Sequence, residues 1–132
     1  MKIIVCVDEQ NGIMFHGRRL SSDRGLTSRI LDNVDTSSLW VTPYSAKLFE
    51  GAPVCVDPSM LKKAKQEDFC FIEDADILPY MDKVSQIWVY RWNRRYPSDR
   101  KFPQLKAPWH RVATEEFVGN SHPTITEEVY ER

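Results

Sequence analysis

No stretch of this sequence is long and apolar enough to cross a bilayer, which takes about 20 consecutive residues. The apolar start, Ile3 to Val7 behind Met1-Lys2, is too short for a signal peptide with its cleavage site and reads as a buried strand. Cysteine is scarce: Cys6, Cys55 and Cys70 form an odd set without a CxxC, each inside an apolar, strand-like run. That pattern excludes a disulfide framework and, with no secretion signal, predicts inert reduced thiols in a cytoplasmic protein. The histidines, His16, His110 and His122, are scattered, and no HxH, HExxH or ligand-spaced Cys/His group occurs, so no metal site is expected. Charge of one sign is missing too: 18 Lys and Arg stand against 19 Asp and Glu, so no global field points to nucleic acid or membrane. There is no P-loop, repeat or low-complexity tract, and no Ser/His/Asp or Cys/His set that spacing alone brings together.

What is present suits one globular domain over residues 1–132, with 42% hydrophobic and 28% charged residues. Apolar runs recur at 3–7, 39–41, 54–56, 69–72 and 87–91, and their continuity suits strands covered on both faces of one parallel sheet. Helix signals fall between them. Ser22 is placed to cap a helix carrying Leu26, Ile30 and Leu31. Thr42-Pro43 and Asp57-Pro58 each put a capping residue before a proline at the first helical position. Asp74 opens a shorter segment that Pro79 limits. Strand alternating with helix predicts an α/β fold of three layers with a central mixed, mainly parallel sheet. The tail differs: residues 109–113 and 124–130 read as an antiparallel C-terminal hairpin around a Gly-Asn-Ser-His-Pro loop.

This order resembles dihydrofolate reductase, and particular residues carry the resemblance. Asn11-Gly12-Ile13 follows the first strand where that family turns into its mobile loop, and Leu20-Ser21-Ser22-Asp23 matches its leucine–proline–alanine–acid motif. Ile87-Trp88-Val89, Asp99 to Pro103, Trp109, Glu115-Glu116-Phe117 and Val129 to Arg132 follow its closing sequence. The resemblance covers residues 1–49 and 69–132; the middle, 50–68, is shorter, as if a strand and its loops were missing.

The resemblance implies that Asp23 holds a pterin-like ring, since a carboxylate supplies an acceptor pair for a planar donor fork. The residue chemistry equally suits a first-turn acid complementing the helix dipole, and both readings stay open. The resemblance also places Cys6, Thr27 and Tyr90 at the ligand pocket, although Thr27 stands where an aromatic residue packs on substrate and Tyr90 where a threonine supports the acid. On the cofactor side, Thr42-Pro43-Tyr44-Ser45 replaces a glycine–arginine–x–threonine phosphate motif, leaving Ser45 as its remnant. Glu73-Asp74 replaces a glycine pair, setting two carboxylates where a pyrophosphate would lie.

These substitutions predict a divergent, non-catalytic protein that needs no cofactor and binds a small planar ligand or a protein partner through the cleft near Asp23. Two rival classes stay open: an NADPH-dependent reductase of a pterin or folate-like heterocycle, and an RNA-binding or interaction module using the basic, aromatic stretch Arg91–Arg95. Nucleic acid and membrane are not expected as partners on overall charge. A ribonuclease Z is not expected, because its zinc motif is rich in histidine and this sequence carries no such motif. Loss of a strand relative to the family exposes an edge, which predicts a homodimer.

Overall fold

A computed structural model describes residues 1–132. The chain runs β1 (Lys2–Val7), β2 (Gly12–Phe15), β3 (Arg18–Arg19), α1 (Arg24–Asn33), β4 (Leu39–Val41), β5 (Cys55–Val56), α2 (Met60–Lys63), β6 (Phe69–Ile72), β7 (Gln86–Arg91), β8 (Arg100–Lys101), β9 (His110–Phe117) and β10 (Ile125–Glu131). Seven strands form one sheet in the order β5-β4-β6-β1-β7-β10-β9. The first five are parallel, and β10 turns antiparallel against both β7 and β9.

Strand periodicity explains why the apolar runs are continuous. On β1, Ile3, Val5 and Val7 join one core with Cys70, Ile72, Ile87 and Val89, while Ile4 joins a second with Phe71, Leu39 and Tyr90. Leu26 and Ile30 of α1, with Val34 at its C-cap, cover the second core; Met60 and Leu61 of α2 cover the first, with Ile13 and Met14 from β2. The sheet therefore lies between two layers, as the sequence predicts.

Four local expectations change. Asp23, not Ser22, caps α1: its carboxylate accepts from the Gly25 and Leu26 N–H groups. Thr42-Pro43 starts only a turn, followed by a 3-10 helix at Ala46–Phe49. After Asp57-Pro58 the helix is the four-residue α2, because Asp57 accepts from Ser59 N–H and the chain turns back by Lys65. Asp74 caps nothing; its carboxylate takes the Thr42 hydroxyl, and the next 3-10 helix spans Leu78–Lys83.

A second sheet, β3-β2-β8, is an addition that the sequence reading lacks. Its hairpin turns at His16-Gly17, both with positive φ (50° and 74°), a conformation that suits glycine. That turn delivers Arg19 to the end of the large sheet, where the site lies.

Candidate functional site

The carboxyl ends of β1, β4, β6 and β7 converge with the start of α1, the usual place for a crevice in an α/β sheet. The residues that leave these ends are Asp8, Thr42, Glu73 and Trp92, all buried.

Asp23 is the centre of one half. Its Oδ1 accepts from Gly25, Leu26 and Asn120 N–H at 2.8, 3.1 and 2.8 Å. Its Oδ2 accepts from Ser121 N–H at 2.9 Å, Ser121 Oγ at 3.2 Å and His122 Nδ1 at 2.9 Å. Burial pushes this carboxyl up, but the Asn120 and Ser121 amides and the His122 ring outweigh it and hold the group well below the usual carboxylate range. His122 is buried as well, tilted against Trp92 at 4.7 Å between ring centroids. Its Nε2 lies 3.0 Å from Ser21 Oγ and 3.4 Å from the Tyr96 hydroxyl.

The loop at 119–122 reaches Asp23 only because Gly119 has no side chain: a Cβ there would stand 2.6 Å from Asp23 Oδ2 and 2.8 Å from Ile125 Cδ1. Gly119→Ala is expected to cost about 1–3 kcal/mol, the usual range for overpacking a tight site, read as a lower urea midpoint.

The other half holds Glu73. Arg19 grips it twice, Nε to Oε2 at 2.9 Å and Nη2 to Oε1 at 3.1 Å, and Ser45 Oγ donates to Oε1 at 2.7 Å. The Arg19 guanidinium lies 4.6 Å from the centre of the Tyr44 ring, and Tyr44 OH accepts from Arg19 N–H. Asp74 takes the Thr42 hydroxyl at 2.7 Å, while its carbonyl accepts from Arg100. The carboxylates at 73 and 74 are therefore engaged by a cation and two hydroxyls rather than standing bare. A nucleotide pyrophosphate needs free donors at this place, and here Ser45, Thr42 and Arg19 already serve the chain's own acids, so the residues do not fit that group.

Of the other expected site residues, Cys6 and Thr27 line a cavity of about 20 Å³ beside Asp23, with room for little more than a water molecule. Burial pushes the Cys6 thiol well above its usual value, and the Glu73 charge adds to this. Thr27 Oγ1 donates back to the Asp23 carbonyl, a local helix bond. Tyr90 is fully buried and spends its hydroxyl on Glu127 at 2.7 Å; it does not border that cavity. A pterin-sized ring has no room against Asp23 as the loop stands. The wider space is outside, a groove of about 510 Å³ between α1 and residues 47–50.

The RNA-binding pattern loses its aromatic half. Trp92 is buried, Arg91 is tied to Glu128 and Asn11, and the exposed residues are Asn93, Arg94 and Arg95. Another space of about 540 Å³ lies beyond β7 near Asn11, Lys101 and Gln104, away from both acids. No group of three or more His, Cys, Asp or Glu side chains is placed to hold a metal, and no helix is long and apolar enough to cross a membrane. The partners that the sequence misses, Arg19, Ser21 and His122, sit 54, 101 and 99 positions from the groups they bond, so no local spacing reveals them.

No protein-family model matches the chain, and no curated protein matches it. Solved structures do. Dihydrofolate reductase from Enterococcus faecalis, complexed with NADP(H) and RAB-propyl, matches with a TM-score of 0.70 over 99% of this chain and 95% of that one, at 16% identity. The similarity is one of fold: a dihydrofolate-reductase-like α/β architecture.

Proposed function

We propose that this chain, built on a dihydrofolate-reductase-like fold, does not reduce folate and instead binds a small planar, anionic ligand in the groove beside α1. One observation carries the proposal: both oxygens of Asp23 are filled by the chain's own donors, so the acid that would grip a pterin has no acceptor left. The groove has the composition of a binding site. Leu31, Leu48 and Phe49 offer an apolar wall for a ring, while exposed Arg24 and Lys47 offer cations against exposed Glu50 and the buried Asp23, whose carboxylate is engaged by the chain's own donors. The NADP(H) held by the similar solved structure favours a second reading, an NADPH-dependent reductase of a pterin-like heterocycle. The Arg19–Glu73–Ser45 knot weighs against it.

A thermal-shift screen of pterins, folates and planar aromatic carboxylates tests the proposal, since ligand at 100 times its dissociation constant adds about 2.7 kcal/mol. The expected hit is an aromatic carboxylate whose affinity drops at least about tenfold in Lys47→Glu, as one lost contact of about 1.4 kcal/mol implies. NADPH-dependent dihydrofolate reduction above the uncatalysed rate, or no shift from any planar anion at millimolar concentration, would sink it.

A further inference from the structure

We propose that Ser21, His122 and Asp23 form a serine-nucleophile site that cleaves esters of a very short acyl group, acetyl being the best fit. The proposal rests on the reading that Asp23 serves the chain's own loop rather than a pterin. The geometry is a continuous chain of hydrogen bonds: Asp23 Oδ2 to His122 Nδ1 at 2.9 Å, and His122 Nε2 to Ser21 Oγ at 3.0 Å. Three features of the surroundings give this chain a direction.

First, the ionised Asp23 can only accept, so the proton on the His122 ring sits at Nδ1 and leaves a lone pair at Nε2. That lone pair faces the Ser21 hydroxyl, which is the arrangement a general base needs. Five further hydrogen bonds hold the carboxylate, and Trp92 covers the imidazole, so the ring cannot turn away. Second, Ser21 borders the cavity of about 20 Å³ whose apolar walls include Leu26, Phe49, Phe71 and Trp92. A methyl group occupies about the volume of a water molecule, so the hole accepts the methyl of an acetyl group and nothing longer. Ser21 itself is half-buried, and Ser22 and Asp23, which follow it, also border the open groove where the alcohol portion of an ester would lie. Third, the N–H groups of Ser22 and Asp23, which follow the nucleophile, have no protein acceptor and are free to donate to a developing oxyanion.

The chemistry balances without any added reagent beyond water. Ser21 Oγ bonds to the acyl carbon as its proton passes to His122 Nε2. The bond from that carbon to the alkoxy oxygen then breaks, and the alcohol leaves with the proton from Nε2. Water, giving its proton to the same nitrogen, attacks the acyl-serine; the acid departs and Ser21 recovers its proton. The Asp23 carboxylate touches no reacting atom and acts as a positioning group through the ring.

The test uses the whole chain and a fluorophosphonate probe, with intact mass and peptide mapping as the readout. Phosphonylation at Ser21 is expected, with fluoride leaving. It should be absent in Ser21→Ala and slower by at least about 100-fold in His122→Gln, the low end for loss of a general base. Hydrolysis of p-nitrophenyl acetate should exceed that of the hexanoate by more than about tenfold, as a pocket closed to extra methylenes requires. Nitrogen-15 shifts of the His122 ring give a measure independent of turnover: Nε2 unprotonated in the wild type, and protonated when Asp23→Asn sets an NH2 donor against Nδ1. A folded wild type without an adduct on Ser21, an adduct on Tyr96 instead, acetate hydrolysis unchanged in Ser21→Ala, or a wild-type ring protonated at Nε2 would each overturn the proposal. Folate turnover would instead show that the reading of Asp23 beneath it had failed.

Discussion

Asp23→Ala is expected to lower the thermal midpoint by roughly 10–20 °C, the largest stability effect of any single change at the site. The alanine would leave the Asn120 and Ser121 amides without an acceptor and the Nδ1–H of buried His122 with only the Ser121 hydroxyl at 3.2 Å, besides uncapping α1. Breaking a buried charged network from one side costs about 3–5 kcal/mol. For a domain of this length, between the two sizes for which the scaling is best known, each kcal/mol moves the midpoint by about 3–5 °C. Asparagine is no rescue, because its NH2 would face three donors whichever side it took. Acid should imitate the mutation. The folded carboxyl lies below its unfolded value near 3.9, so its contribution is complete above that pH and is lost as pH falls through the lower folded value. Asp8 and Glu128 shift in the same direction, each pushed up by burial and pulled down further, Asp8 by backbone amides and Glu128 by Arg91. Urea unfolding at pH 7, 4 and 3 should therefore show a steep decline in the wild type. Asp23→Ala should decline less, because it has already lost its share; parallel declines would contradict the role assigned to Asp23.

The difference between what the sequence reveals and what it hides follows from the range of the interactions. Ile3–Val7, Phe69–Ile72 and Gln86–Arg91 are legible because burial on both faces leaves no polar alternation, a signal contained within each strand. The C-terminal hairpin is legible for the same local reason. Thr42-Pro43 and Asp57-Pro58 mislead because a cap and a proline specify only a first turn, whereas propagation needs an apolar stripe beyond it. At Asp23 the two sequence readings describe one carboxylate. It caps α1 as first-turn acids do, and it sits in the crevice as the resemblance implies, with its second oxygen taken by a loop almost a hundred residues away. The same distance hides Arg19. Only the fold brings a hairpin tip to the end of β6, and Gly17 at that tip is the one local sign of it.

NADPH should bind the wild-type chain no tighter than about millimolar. Micromolar binding represents roughly 8 kcal/mol, much of which a pyrophosphate gains from donors and a cation that are free before it arrives. Here the cation is Arg19, and Glu73 already occupies it through two bonds, with Ser45 completing the grip. The Glu73 hydrogen bonds also raise the Arg19 pKa, so the guanidinium stays charged and paired. An arriving phosphate must displace an anion tethered in place, whose effective concentration is far above any ligand in solution, and gains only the difference between two similar ion pairs. Asp74 adds a second negative charge, held by the Thr42 hydroxyl but not by an ion pair of its own, and one unit charge 4 Å from another is worth about 4 kcal/mol at an effective dielectric of 20. Glu73→Gly with Asp74→Gly removes both obstacles and frees Arg19, Ser45 and Thr42 together. Calorimetry on this variant should show NADPH affinity improved by at least about tenfold, the equivalent of 1.4 kcal/mol. Its thermal midpoint should fall in the absence of ligand, because Arg19 has lost its only carboxylate partner. A role for Glu73 and Asp74 confined to holding the turn after β6 predicts the same fall in midpoint with no gain in affinity. A wild-type dissociation constant in the low micromolar range would show that the ion pair yields to the nucleotide, and that the site is a cofactor site after all.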